Sequence, residues 1–346
     1  MLFDSKPLIY LQLLDQSLRY LALDPKDHTI IDKDDIVFET SIIEEGKITN
    51  IPLLETRLDA LVKEKKWKNA KAHILLLNDF VAVREETVPV QLTPSEIKDY
   101  LSLHINQSIR LPFDNPVFDF QLIEKNDSEQ KVVIIAYPNE QVKQYQTILQ
   151  NVSLKPAVAD ISALCLYRVA EKQSLIDSDQ ERHSLILEWN PSDLSIMVFN
   201  DDAPKFNRHS RLPRVSENWE VDNKGKWTWK NTEAELELML EDQLDGLERF
   251  LDFYRYSVLD GKGSVTEIIL TGHYPDLEEL KTRLSEIFDA KVDLLKLPDT
   301  LEQAFAALYG LSLKETKIKA KKANKTNRNK NKGKIAGIKS EGGADA

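Results

Sequence analysis

The 346-residue chain has only 11 glycines and a single cysteine, and each scarcity removes a class of chemistry. A nucleotide-binding frame made of β-hairpins needs glycine at its tips, because only a residue without Cβ lets backbone N–H groups close on phosphates. Two strand-rich openings, Pro7 to Leu23 and Ser184 to Phe199, carry side chains there instead. The first tip reads Leu11-Gln12-Leu13-Leu14-Asp15-Gln16-Ser17 and the second Leu187-Glu188-Trp189-Asn190-Pro191-Ser192. One cysteine excludes an internal disulfide, and Cys165, among apolar neighbours in SALCLY, reads as a buried, inert thiol. The six histidines show no metal-ligand spacing, and no GxSxG, Walker lysine loop or paired Cys-His signature is present. No apolar run approaches the roughly 20 residues that cross a bilayer. The start, MLFDSKPLIYLQLLDQSLRY, has no basic leader with a small-residue cleavage site, so the expected location is cytoplasmic.

The charge that is present is divided. From Lys314 onward the chain holds eleven Lys or Arg against three acids, leaving 35 basic and 54 acidic residues before it, so a net charge of −11 conceals a body near −19. So acidic a surface disfavours nonspecific nucleic-acid binding, which needs clustered cations, and no specific nucleic acid is expected as a partner. A hydrophobic fraction of 42% with five Trp and twelve Phe supplies cores for two or more lobes.

Hydrophobic periodicity predicts paired strands over Leu8 to Leu14 and Leu18 to Leu23, a third over Ile36 to Ile43, a helix begun by Pro52, and strands over His73 to Leu77 and Val81 to Val88. From Pro89 the pattern changes to a small α/β module. Thr93-Pro94-Ser95-Glu96 predicts a capped helix running to about Arg110, followed by strands Val117 to Ile123 and Lys131 to Tyr137 and a helix from Asn139 to Val152. After the polar SLIDSDQERH, three strands recur in LILEWN, LSIMVFN and KFNRHSRL. Thr232 with Glu235 opens a long helix over 232–258, then come a strand Val265 to Leu270, a helix Leu277 to Phe288, a strand Val292 to Leu297 and a helix Leu301 to Leu313. Two lobes that each begin with three strands point to duplication. WTW over 227–229, near Trp219, reads either as a strand with one buried face or as an exposed aromatic anchor for a partner.

The stretch from Ala72 to Arg168 resembles one family. VAVREETVP before a helix, then IRLPFDNPVFDFQLI, then VVIIAYPNEQVKQYQTILQNVSLKPAVADISALCLYR, with Ala136, Tyr145, Leu154, Pro156, Asp160 and Arg168 in order, is similar to type IV pilus assembly proteins of the PilM kind, within the actin-like ATPase superfamily that includes FtsA. KFNRHSRLP around Phe206 and Arg208 extends the likeness, which covers about residues 7 to 313. The resemblance implies an α/β, two-lobed actin-like fold, an RNase H-like unit duplicated, with a small α/β module inserted in the first lobe. The expected divisions are 1–88 and 157–175 for the first lobe core, 89–156 for the module, 183–313 for the second lobe, and 314–346 for a basic disordered tail.

The resemblance also places a degenerate nucleotide cleft. The family's first Asp-x-Gly loop falls on Gln12, Leu14, Ser17 and Arg19, beside Asp15 and Gln16; its second falls on Glu188 and Asn190, beside Ser192; and Leu-Thr-Gly-Gly-Gly becomes Leu270, Thr271, Gly272, His273 and Tyr274. No cofactor is therefore expected, with ATP and Mg²⁺ binding weak or lost, no catalytic residue and no metal site. Asp15 and Glu188 read as a metal-positioning pair or as solvated carboxylates, and His273 as a base or phosphate contact, as a cap on the next helix or as a residue facing water. The implied role is a cytoplasmic scaffold, peripheral at the inner face of the cell membrane, in a type IV pilus or competence-pseudopilus platform. Its implied partners are the N-terminal cytoplasmic peptide of a PilN-like single-pass protein, held between the first-lobe core and the module, and the pilus motor ATPase, with anionic lipid reached through the 314–339 tail. The alternatives are an active actin-like ATPase or nucleotide-gated switch, and an FtsA-like division factor, for which the tail lacks the amphipathic helix.

Overall fold

A computed structural model describes residues 6–176, 182–212, 218–221 and 227–314. Three strands open the chain, β1 (Leu8–Leu14), β2 (Ser17–Leu23) and β3 (Ile30–Val37), followed by a two-residue pair, β4 (Ile43–Glu44) and β5 (Lys47–Ile48). The third strand thus begins six residues before its predicted start. IIDKDDIV is an edge strand in which Asp35 pairs with Arg19 and Asp32 with Lys65, so charge masks its strand pattern. Helix α1 (Ile51–Glu64) starts as predicted, with Asn50 capping the Leu53 N–H and Pro52 in the first turn, and it buries Leu54, Leu58, Leu61 and Val62. Strand β6 (Lys71–Leu76) follows.

The module comes next: β7 (Ala82–Pro89), α2 (Pro94–His104), β8 (Pro116–Lys125), β9 (Glu129–Pro138) and α3 (Asn139–Asn151). Thr93 and Glu96 form the predicted capping box, but α2 stops at His104, short of Arg110. Ile105 and Ile109 leave the helical path to enter the module's own core with Val88, Ile97, Leu101, Val132 and Ile134. Strand β10 (Lys155–Ile161) and α4 (Ser162–Lys172) return the chain to the first lobe.

The second lobe repeats the first. It has β11 (Ser184–Trp189), β12 (Asp193–Asn200), β13 (Ala203–Arg211), a hairpin of β14 (Trp219–Val221) and β15 (Trp227–Trp229), and α5 (Glu233–Phe253), which runs into a π-turn at Tyr254–Val258. Strand β16 (Glu267–Gly272), α6 (Leu277–Ile287), β17 (Lys291–Leu294) and α7 (306–314) complete it. The two large sheets have the orders β10-β6-β1-β2-β3 and β13-β12-β11-β16-β17, each with three antiparallel strands and two added in parallel. That identity of order is what duplication predicts.

Period-2 alternation assigns each face of the second sheet. Leu185, Leu187, Leu194, Ile196, Val198, Ile268 and Leu270 pack under α5 and α6, whereas Ile186, Met197, Phe199 and Ile269 join the first lobe's core with α4 and α7. Helix α4 therefore touches both sheets, meeting β10 on one side and β11 and β12 on the other. Cys165 lies inside this shared layer, fully buried, and burial first, then the charge of Asp160, push its thiol far above the ordinary range, which makes it inert as expected. At Gly310, on α7, an added Cβ would stand 2.1 Å from the Cys165 carbonyl oxygen. Gly310→Ala must therefore push α7 off α4, and it is expected to cost about 1–3 kcal/mol, seen as a lower urea midpoint with an unchanged slope.

Candidate functional site

The two hairpin tips face each other across the lobes, and side chains have taken them over. Arg211, the last residue of β13, reaches from the second lobe into the first: its Nη1 donates to both carboxylate oxygens of Asp15 at 2.7 Å, and its Nε and Nη2 donate to Asp79, the latter at 3.0 Å. Both carboxylate oxygens of Asp15 thus pair with Arg211, and its side chain remains 38% exposed. Burial pushes its carboxyl up, against the pull of Arg211. The carbonyls of the same tip are occupied too, since Asp15 accepts from the Ile42 N–H and the Ser41 hydroxyl and Gln16 accepts from the Phe38 N–H.

Glu188 is buried, and it takes part in a polar chain across the interface. Ser162 donates to Glu188 at 2.7 Å and lies 3.0 Å from the Asn78 amide oxygen; Asn78 donates to Ser195, which bonds His209 at 2.8 Å, and His209 stands 3.6 Å from Asp79. Gln12, Asp15, Glu188, Asn190 and Ser192 all border the same remaining cavity, whose volume is about 50 Å³.

Asp15, Gln16, Ser17, Arg19, Ser192 and His273 also line a second cavity of about 550 Å³, walled by Phe38, Trp219 and Trp227. Arg19 is buried with its charge already matched: Nε and Nη2 donate to Asp35 at 3.0 and 2.6 Å, and Nη1 donates to the Ala304 carbonyl at 2.7 Å. Asp15, Asp35 and Glu220 leave this cavity acidic. Asp276, not His273, caps the next helix, and burial, then the Arg19 cation, hold the His273 ring well below the ordinary range. Its N–H donates to Asn190 at 3.1 Å and its ring lies 5.7 Å from that of Trp227. Trp219 is buried against Trp229 and Tyr274, so the tryptophan hairpin is a wall of the lobe.

Gly272 has a backbone reason of its own. Its φ is +123°, and a Cβ there would stand 2.1 Å from the Trp189 carbonyl oxygen. Close approach of β16 to β11 demands it. A magnesium-bound triphosphate does not fit this set of residues. It needs unpaired N–H groups, unspent cations and room between the tips, and here the cations are matched, the carboxylates outnumber them and the gap admits little beyond a water or two.

A wider concavity lies elsewhere. A groove of about 770 Å³ runs between β8 of the module and β10 with α4 of the first lobe. Strand β8 is outermost in the module sheet and β10 outermost in the first large sheet, so both walls offer strand edges. Val117, Ile135, Tyr137 and Val142 form the module side. Leu164 and Arg168, one turn apart, are the half-exposed residues of an otherwise buried stretch of α4. Phe199 and Asp202 close one end from the second lobe, where the Tyr167 ring stacks on Phe199 at 4.1 Å and its hydroxyl donates to Asp202 at 2.5 Å. Asp160 is held by Arg168 at 2.7 Å and by Lys314 at 2.9 Å. Residues 315–346, which hold the rest of the expected basic tail, lie outside the described residues.

Sequence reasoning missed Arg211, Asp79, Asn78 and Ser162. The available signal was position: Asn78 and Asp79 lie two and three residues past the C-terminal end of β6, where folds with parallel strands gather functional groups.

A family model for type IV pilus assembly protein PilM matches residues 26–213, more than half of the chain. Among solved structures, the chain is similar to a PilM-PilN type IV pilus biogenesis complex, with 17% identity over 88% of this chain and 97% of that one and a TM-score of 0.68. It is also similar to MreB5 of Spiroplasma citri bound to ADP, with 10% identity over 93% and 99% of the two chains and a TM-score of 0.50, and to the AMPPNP-bound form of that protein at 11% identity with the same coverage and score. These likenesses give the fold, two-lobed and actin-like. No curated protein matches the chain in sequence.

Burial, then the negative charge of Asp193, push the Glu188 carboxyl up from 4.5 to about 7, against the bonds from Ser162 and Asn78. The folded chain therefore holds this proton more tightly than the unfolded one, and the associated stability is present at low pH and lost as pH rises from about 4.5 to about 7. Glu188→Gln, which keeps an acceptor for Ser162 without the charge, is expected to stabilise by on the order of 2 kcal/mol at pH 8 and by little at pH 4.5. Urea denaturation at the two pH values checks this, and equal effects at both would contradict it.

Proposed function

This chain belongs to the type IV pilus assembly protein PilM family, and from that premise we propose that it is a cytoplasmic scaffold of a pilus or competence-pseudopilus inner-membrane platform. On this reading it docks the N-terminal cytoplasmic peptide of a PilN-like membrane protein in the groove between β8 and α4. The groove itself carries the proposal: two outermost strands give an extended peptide backbone partners, and the apolar floor between them gives alternate side chains somewhere to go. No helix among the described residues is long and apolar enough to cross a membrane, so membrane attachment would come through the partner and through the basic 314–339 segment. Each basic residue near an anionic leaflet adds about 1 kcal/mol. The pilus motor ATPase is the further partner on the cytoplasmic side.

The alternative, a nucleotide-gated switch or active ATPase, draws on the 550 Å³ cavity and its aromatic wall, which has room for a nucleoside. The three carboxylates around a matched Arg19 favour the scaffold reading, in which the cleft works without turnover. Thermal melting with and without Mg-ATP separates the two, because a shift of several degrees saturating at micromolar nucleotide would establish the switch.

A fluorescent peptide from the cytoplasmic N-terminus of the PilN-like protein is expected to bind the full chain with saturable anisotropy. Leu164→Arg, on the half-exposed stripe of α4, is expected to weaken binding at least tenfold, or about 1.4 kcal/mol, with the melting temperature unchanged. Undiminished binding to that variant would remove the groove as the docking site.

A further inference from the structure

We propose that Arg211 is a positioning residue for the groove. By joining Asp15 and Asp79 across the lobes it sets how far they close, and so fixes the second-lobe end of the binding surface without a nucleotide. The inference rests on the docking reading above for what the groove binds, and on the structure for how the groove is held. In an actin-like frame the contacts between hairpin tips determine lobe closure, and a ligand shifts that closure only by interacting differently with the open and closed states. Here the contacts between tips come from the protein itself.

Three observations converge. First, all the polar contacts of Arg211 described at the cleft run from β13 of the second lobe to the first-lobe residues Asp15 and Asp79, with a planar fork that matches two carboxylates at once. Second, the hydrogen-bonded chain from Glu188 through Ser162, Asn78 and Ser195 to His209 crosses the same interface and ends with the His209 ring 3.6 Å from Asp79, so a second set of interlobe polar contacts lies beside the clamp. Third, the groove is incomplete without the second lobe. Phe199 and Asp202 cap it by stacking on and accepting from Tyr167, and Gln121 of β8 donates to the Asp202 carbonyl at 3.3 Å. Strand β13 continues that coupling, since Asn207 donates to the Val81 carbonyl at 3.0 Å and Lys205 pairs with Glu85 on β7. Rotation of the second lobe thus moves one end of the groove and the edge of the module together.

The test places spin labels on Ala60→Cys of α1 and Glu286→Cys of α6, both exposed, while buried Cys165 stays unlabelled. Interlobe distances and peptide affinity are then measured in the full chain carrying Arg211, Arg211→Lys, Arg211→Ala or Asp79→Asn. Arg211→Ala is expected to broaden or lengthen the distance distribution and weaken the peptide at least tenfold. Arg211→Lys, which bridges one carboxylate as a point charge, and Asp79→Asn are expected to fall between, so the series reads even if the alanine variant folds poorly. An unchanged distance distribution in all three variants overturns the proposal. A changed distribution with unchanged affinity overturns the link to the groove. If the peptide fails to bind the chain with Arg211 in place, the docking reading fails, and the distances still judge the clamp.

Discussion

A guanidinium held between two carboxylates is the contact on which the relation of the lobes depends. Arg211, Asp15 and Asp79 form a partly buried cluster with one more negative charge than positive, and the imbalance is visible in Asp15, whose carboxyl is pushed up by burial and by the charges of Asp193 and Asp79 despite its paired oxygens. Removing the cation would leave the Asp15 and Asp79 carboxylates, both of the first lobe, without their shared partner. The cost of an uncompensated charge, more than the attraction of the pair, makes such a cluster hold its geometry. Apolar packing alone would not give the same definition, since the shared layer of Ile186, Met197, Phe199 and Ile269 against α4 and α7 is adhesive but non-directional.

The fold was legible because it rests on periodicities that a sequence displays directly. Strands β1, β2, β11 and β12 are nearly all buried, so they read as apolar runs, and the capping boxes at Thr93 and Thr232 formed as written. Misreadings occurred where charge or tertiary packing overrode the local pattern. Strand β3 hides behind Asp and Lys residues that neutralise their partners along an edge, and α2 ends early because Ile105 and Ile109 are worth more inside the module core than on another helical turn.

The cleft was legible only in its negative aspect. Missing glycines predict degenerate phosphate loops, and the structure adds that Gly272 lets two backbones meet, a requirement a sequence cannot distinguish from ligand binding. Arg211 could not be read at all, because its partners lie 132 and 196 residues away in the chain. The groove was reached through the family resemblance, which placed the peptide between the first-lobe core and the module; its individual residues were not legible, because its walls come from β8, β10, α4 and the second lobe, elements joined by topology and by no shared motif.

A cleft whose cations are matched and a fixed interlobe contact belong to one physical argument. A frame whose closure depends on a bound polyphosphate spends part of the time open, and a groove built across both lobes would then bind its peptide with an affinity scaled by the closed fraction. A contact made by Asp15, Asp79 and a protein-borne cation would remove that reduction at the expense of regulation. The 550 Å³ cavity has aromatic walls and an acidic lining, and its Arg19 is matched by Asp35. Affinity for the partner would then be set by the groove's edges and floor, and the polar network from Glu188 to Arg211 would serve to keep those edges at one spacing.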